Sequence, residues 1–137
     1  MGVSSDAPAL DIAYKLVEYG GRGRLKLSPG KALLPGRKQI FRVERDGLAD
    51  RDVLARHDEA ACGRPLLVPV MQAGVRLPAG RITLDEARAH ARRERERLPP
   101  QLRALAPAVP PYRVDISAAL QQATDELRRA YETAPRR

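Results

Sequence analysis

Along the first half of the chain, apolar side chains come in short runs broken by glycine and proline, the pattern of strands and turns. Ile12–Tyr19 is rich in β-branched and aromatic residues, and Gly20-Gly21 supplies the positive-φ positions of a tight hairpin. The return strand is Arg24–Ser28. Pro29-Gly30 and Pro35-Gly36 turn the chain again before a third strand, Lys38–Val43. Asp46-Gly47 marks a further turn, Val53–Arg56 reads as a weak strand or short turn, and His57–Gly63 reads as a polar loop. Leu66–Met71 is the most apolar run, and Pro69 inside it predicts an edge strand or a bulge. Gln72–Gly74 with Val75–Leu77 predicts a second hairpin.

Beyond Ile82 the spacing becomes helical. Thr83-Leu-Asp-Glu86 has capping-box form, and the helix it opens should run to about Leu98, where Pro99-Pro100 stops it. Its apolar stripe (Leu84, Ala87, Ala91, Leu98) is thin, and its arginines alternate with glutamates as on a solvated face. Tyr112–Ile116 predicts a short strand, and Ser117 can cap a last helix, Ala118 to about Thr133, with Leu120, Ala123, Leu127 and Tyr131 on one side. The expected class is α+β: a small antiparallel β-rich part with hairpins over residues 12–77, followed by two C-terminal helices within 83–133. One domain is expected to span 1–137.

Composition qualifies that picture. At 137 residues the chain has a one-domain length, but one Phe, no Trp and twelve Pro leave few bulky core formers. It suits either a small domain or a piece of a larger one that borrows its core. The lone Cys62 excludes an intramolecular disulfide, and with only His57 and His90 beside it no metal-ligand spacing exists. No apolar run approaches the ~20 residues of a membrane span, so no membrane partner is expected. Met1–Leu10 has neither the basic start nor the apolar stretch of a signal peptide. A cytoplasmic, reducing location is the expectation.

Charge changes the picture more. Between Ile12 and Val43 lie eight cations and one acid, Glu18, which is +7 of the formal +8 of the whole chain. With a two-residue loop at Gly20-Gly21, Lys15 faces Lys26 and Leu16 faces Leu25. A four-residue loop, 20–23, makes Lys15 face Ser28 instead. In either register Lys15, Arg24, Lys26 and Ser28 share one face, while Tyr14, Leu16, Leu25 and Leu27 share the other. Like charges gathered on one face repel, and ammonium and hydroxyl groups suit phosphate oxygens. The two readings are an anion-binding face and a solvated basic surface. There is no G-x-x-x-x-G-K-[ST] loop, no G-x-G-x-x-G after a strand and no Ser/His/Asp set. A small basic nucleic-acid-binding module is the alternative function, and the few aromatics and missing motifs weigh against it.

Several runs, in order and spacing, resemble the C-terminal part of nicotinate phosphoribosyltransferases. They are Asp6–Asp11, Tyr14-Lys-Leu-Val-Glu-Tyr19, Lys26-Leu-Ser-Pro-Gly-Lys31, Leu34-Pro-Gly-Arg-Lys38, Leu66-Leu-Val-Pro-Val70, Leu84–Ala89, Arg97–Arg103 and the closing strand and helix. The resemblance implies NAD salvage: nicotinate joined to phosphoribosyl pyrophosphate, pyrophosphate released, with ATP and Mg²⁺ serving the intact enzyme. It also implies that the barrel core, the glycine-rich phosphate loop and the phosphorylated histidine of that family lie outside this sequence. The chain alone would then bind no cofactor, have no catalytic residue of its own and be inactive, awaiting an N-terminal barrel chain or a homodimer partner. In the family a lysine after an aromatic reaches the phosphates of a neighbouring subunit's site, and Tyr14-Lys15 matches that position. Lys26, Ser28 and Lys31 are further expected contacts to substrate phosphate.

Overall fold

The computed structural model describes residues 14–26 and 33–133. Its centre is a hairpin of β3 (Lys38–Arg45) and β4 (Leu48–Arg56), closed by the turn Asp46-Gly47, both at positive φ. A short β5 (Arg64–Pro65) adds to the outside of β3, and β8 (Arg113–Ile116) adds to β4 in parallel, giving the order β5-β3-β4-β8. Two smaller antiparallel hairpins stand outside this sheet: β1 (Glu18–Tyr19) with β2 (Arg22–Gly23), and β6 (Met71–Gln72) with β7 (Val75–Arg76). The helices are α1 (Leu84–Glu96), the one-turn α2 (Pro100–Arg103) and α3 (Ala118–Thr133).

One extra residue sets the register of the central hairpin. From the turn, Arg45 pairs with Leu48 and Glu44 with Ala49, but Val43 pairs with Arg51, leaving Asp50 without an opposite number. Without this bulge Phe41 would face Asp52, and Arg42 would face Arg51. With it, Phe41 faces Val53, Ile40 faces Leu54 and Arg42 faces Asp52. The displaced Asp50 carboxylate lies 3.1 Å from Arg51 and 3.5 Å from Arg45.

The Arg42–Asp52 pair is a two-pronged contact, Nε to Oδ1 and Nη2 to Oδ2, both at 2.9 Å. The Tyr112 hydroxyl donates to the same Oδ1 at 2.9 Å, which ties the start of β8 to the middle of the sheet. Asp52 is 9 % exposed. Burial works to raise its pKa, but the hydrogen bonds from Arg42 and Tyr112 outweigh it, and the carboxyl sits below its usual value. Burial, then the bond to Asp52, push the Tyr112 phenol up to about 12. The apolar core around this clamp is small: among the described residues Phe41, Ala49, Ala55 and Leu120 are its buried hydrophobic members.

The helices are seated by specific polar contacts. α1 opens with the full capping box, Thr83 Oγ1 accepting from Glu86 N and Glu86 Oε2 accepting from Thr83 N. Arg64 Nη2 donates to Glu44 at 3.0 Å and Glu94 at 2.8 Å, bonding the sheet to α1, and Ala49 N donates to Arg97 O just beyond the helix. Ser117 makes the knot at the start of α3. Its Oγ accepts from Leu120 N and donates to Glu59, while its N–H donates to Leu54 O at the end of β4.

The α+β class holds, as do the capping box, the Ser117 cap and the second hairpin. Several details differ from expectation, among them Leu66–Val70, read as an edge strand or a bulge, which has no strand geometry. The segment read as a weak strand is the nine-residue centre of the sheet, hidden because Asp50, Arg51 and Asp52 interrupt its apolar pattern. The main sheet is mixed rather than purely antiparallel, because β8 returns alongside β4 after a crossover holding α1 and α2. That crossover also adds a third, one-turn helix.

Asp52→Asn keeps the shape of the side chain but leaves the Arg42 charge, largely buried, without a counter-ion. The expected loss is about 3 kcal/mol, the lower end for a broken buried pair. Because the folded-state pKa of Asp52 is depressed, its contribution is complete above the unfolded value of about 4 and is lost as pH falls through the folded value. Urea unfolding at a series of pH values should show wild type and Asp52→Asn well separated at pH 6 and converging in acid. A pH-independent gap would refute this role.

Candidate anion-binding site

The basic hairpin forms around Gly20 (φ 57°) and Gly21 (φ 70°), consecutive left-handed residues that a two-residue turn requires. Tyr19 pairs with Arg22 and Glu18 with Gly23, and Arg24 N donates to Val17 O at 2.8 Å. This is the two-residue-loop register. The ladder is far shorter than expected, however: strand geometry covers two residues on each side, so Lys15 and Lys26 flank the paired segment rather than facing each other within it. Both are exposed. Ser28 and Lys31 lie outside the described residues.

Val17 O accepts from Arg24 N and also from Gly36 N at 2.7 Å, which ties the turn at Pro35-Gly36 to the hairpin. Glu18 reinforces this junction: its Oε2 accepts from Arg37 N at 3.2 Å, and its other oxygen lies 3.9 Å from the Arg37 guanidinium. The hairpin then rests close to α3. A Cβ on Gly23 would lie 2.9 Å from Pro35 Cβ and 3.6 Å from Leu127 Cδ2, so only glycine permits the approach. A cavity of about 200 Å³ follows this seam, floored by Leu120, Ala123 and Leu127 and rimmed by Glu18, Arg37, Arg56 and His57.

The cations of the basic segment divide into two kinds. Arg24 stacks over the Tyr19 ring, 5.8 Å from its centroid. Lys38 donates to Leu34 O and Gly36 O at 2.8 and 2.6 Å, and burial lowers its pKa while Glu18 opposes the shift. Arg42 belongs to the Asp52 clamp, and Arg37 lies beside Glu18. Arg24, Lys38 and Arg42 are thus engaged within the fold. Lys15, Arg22 and Lys26 are exposed, as is Arg37, whose side chain is 71% exposed, and these are the described cations of the segment that can meet an outside anion. Of the predicted face, Arg24 is diverted to an aromatic ring, and Lys15 and Lys26 keep the accessibility the reading requires.

Sequence reasoning missed the buried Arg42–Asp52–Tyr112 clamp. A faint signal existed, since a two-residue turn at Asp46-Gly47 puts Arg42 opposite Arg51, and that clash itself calls for a one-residue shift. At the rim of the seam, both guanidiniums have acid neighbours: Arg56 reaches Asp58 at 2.8 Å and Arg37 reaches Glu18. His57 lies 4.0 Å from Asp58, half-exposed. The seam therefore reads as packing, and the anion-binding candidates are the lysines beyond it.

The fold is a small mixed-sheet α+β unit with a basic hairpin at one end and much apolar surface left open. No protein-family model matches the sequence. Nicotinate phosphoribosyltransferase pncB2 of Mycobacterium tuberculosis is 47% identical over 128 residues, covering 93% of this chain and 28% of its own length. Bovine nicotinate phosphoribosyltransferase is 35% identical over 147 aligned positions, covering 88% of this chain and 27% of its own length. The crystal structure of human nicotinic acid phosphoribosyltransferase superposes with a TM-score of 0.69 at 29% identity, over 84% of this chain and 26% of that one. The chain is thus related to nicotinate phosphoribosyltransferases along nearly its whole length. It spans 28% of the mycobacterial relative's length, consistent with a C-terminal fragment of such an enzyme.

Lys15 and Gly23 should separate surface chemistry from architecture. Lys15→Ala is expected to leave the urea midpoint within about 0.5 kcal/mol of wild type, as for an exposed side chain. Gly23→Val should cost about 1–3 kcal/mol by driving the hairpin against Pro35 and Leu127, and should shift the Leu127 methyl resonances. The reverse order of destabilisation would overturn the assignment.

Proposed function

We propose that this chain forms the C-terminal portion of a nicotinate phosphoribosyltransferase of NAD salvage, inactive until joined by the part that carries the barrel. The observation that carries this reading is the 47% identity with a nicotinate phosphoribosyltransferase over 93% of the chain. In the proposed reaction the pyridine nitrogen of nicotinate bonds to ribose C1 of phosphoribosyl pyrophosphate as the C1–O bond breaks and pyrophosphate leaves. It is a glycosyl transfer that ATP hydrolysis drives forward, hence also a ligase. The negative charge that grows on the departing pyrophosphate needs fixed cations around it.

Lys15 and Lys26 are this chain's contribution in the proposal, holding phosphate oxygens from an exposed arm, with Ser28 and Lys31 continuing the same role. The lysines would act on a site completed by the barrel portion, whether in the same assembly or in a dimer mate. The described residues do not suit a metal: among them no group of three or more His, Cys, Asp or Glu side chains is placed to hold one. In the proposal Mg²⁺ and ATP are held by the rest of the enzyme. Nucleic acid is the poorer fit, because three cations of the basic segment, Arg24, Lys38 and Arg42, have intramolecular duties. We place the protein in the cytoplasm. Among the described residues no helix is long and apolar enough to cross a membrane, and Cys62 is a free, exposed thiol.

Incubated alone with nicotinate, phosphoribosyl pyrophosphate, ATP and Mg²⁺, the chain should form no nicotinate mononucleotide, and robust product would overturn the proposal. Combined with the barrel portion it should restore turnover. In that assembly Lys15→Ala should lower kcat/KM for phosphoribosyl pyrophosphate by roughly ten- to a hundredfold, the range one charge-assisted hydrogen bond supports. An unchanged kcat/KM would remove Lys15 from the site.

A further inference from the structure

The β6–β7 hairpin and the run before it form an arm with no core beneath it. Leu67, Val68, Val70, Met71 and Val75 are each at least half exposed, Val75 at 60%. The turn between the strands uses Ala73 and Gly74 at positive φ, and neither strand is part of the main sheet. An isolated two-stranded hairpin is marginal in water, yet this one is firmly tied to itself. Leu77 N donates to Val70 O at 2.9 Å, Gly80 N to Leu77 O at 2.9 Å, and Arg81 Nε to Arg76 O at 3.1 Å. Gly80 lies so close to the arm that a Cβ there would come within 2.5 Å of Val70 O. The backbone is satisfied and preorganised while the apolar side chains are left in water.

We infer that this arm is a docking surface for the barrel-bearing part of the enzyme, inserting into an apolar groove edged with carboxylates. The inference rests on the functional reading above and adds to it the place and chemistry of the contact. Three observations select that occupant. The chain covers only 28% of the mycobacterial relative, so most of the surface available to bury the arm belongs to the remainder. From Ala60 to Leu84 there is no acid and there are three arginines. Arg64 is held by Glu44 and Glu94, leaving Arg76 and Arg81 on the arm to meet acidic side chains on a partner. A second copy of this chain would present the same cations, and an arm-to-arm dimer would set like charges face to face. The docked arm would bury its valines and Met71 at the centre with arginines at the rim, the usual anatomy of a stable interface.

The test co-expresses this chain with the part of the mycobacterial relative that it does not span, and measures copurification, affinity and turnover. Val75→Asp and Met71→Asp place a carboxylate against the expected acidic groove at positions already exposed, so urea midpoints of the isolated chain should stay unchanged. Affinity should fall roughly thirtyfold or more for each, as for a central contact, while Lys15→Ala lowers turnover and leaves association intact. Amide exchange in wild type should slow at residues 68–77 on association, a readout independent of any variant. Unchanged affinity of both variants, or unchanged exchange in the arm, overturns the docking surface while restored wild-type turnover upholds the functional reading. Absence of both association and turnover overturns the two together. Concentration-dependent dimers of this chain that Val75→Asp dissolves, or binding to phosphatidylserine-containing vesicles that the barrel part does not displace, would name a different occupant and overturn the inference.

Discussion

The unpaired residue at Asp50 brings the Asp52 carboxylate opposite the Arg42 guanidinium, and the register, the small core and the attachment of β8 all follow from that pairing. A one-residue slip in a strand exchanges its two faces, so the bulge decides at once which side chains are buried. With so few large hydrophobics enclosed, transfer of apolar surface from water cannot dominate here as it does in larger domains. A largely buried ion pair sharing one carboxylate with a phenol takes over part of that specifying role. It discriminates sharply between registers, because every alternative leaves a charge unmatched in a poorly hydrated place.

Local chemistry made some of this legible in advance. Thr83 and Glu86 announced a helix start, Ser117 another, Asp46-Gly47 a turn and Gln72–Gly74 a hairpin, because each signal acts through backbone atoms a few residues away. The central strand escaped because its charges are matched across the sheet and not along the chain. The parallel return of β8 escaped for a similar reason, since nothing within Arg113–Ile116 specifies which neighbour it will join. At the candidate site the two-residue turn was readable from Gly20-Gly21. The tie from Gly36 N to Val17 O was not, because its two ends lie nineteen residues apart.

The concentration of cations near the start of the chain thus has two explanations at once. Arg24, Lys38 and Arg42 brace turns, rings and carboxylates within the fold, whereas Lys15 and Lys26 are held out from it. The basic end and the apolar arm are different kinds of incompleteness. One offers charge without a ligand, the other apolar area without a cover, and a single larger assembly can satisfy both.

The outer margin of the sheet carries a device of its own. Beyond the two residues of β5, Gln39 turns its side-chain amide toward the neighbouring run, donating to Leu67 O at 2.9 Å and accepting from Leu67 N at 3.0 Å. The amide thereby imitates one rung of a strand and occupies the groups that a foreign strand would use, while Pro65 and Pro69 remove two more donors from the same margin. A chain that leaves valines and a methionine in water would ordinarily invite stacking into fibrils. Here those positions make the margin a poorer template for another strand, and side-chain fit becomes the favoured way for the apolar arm to find a companion.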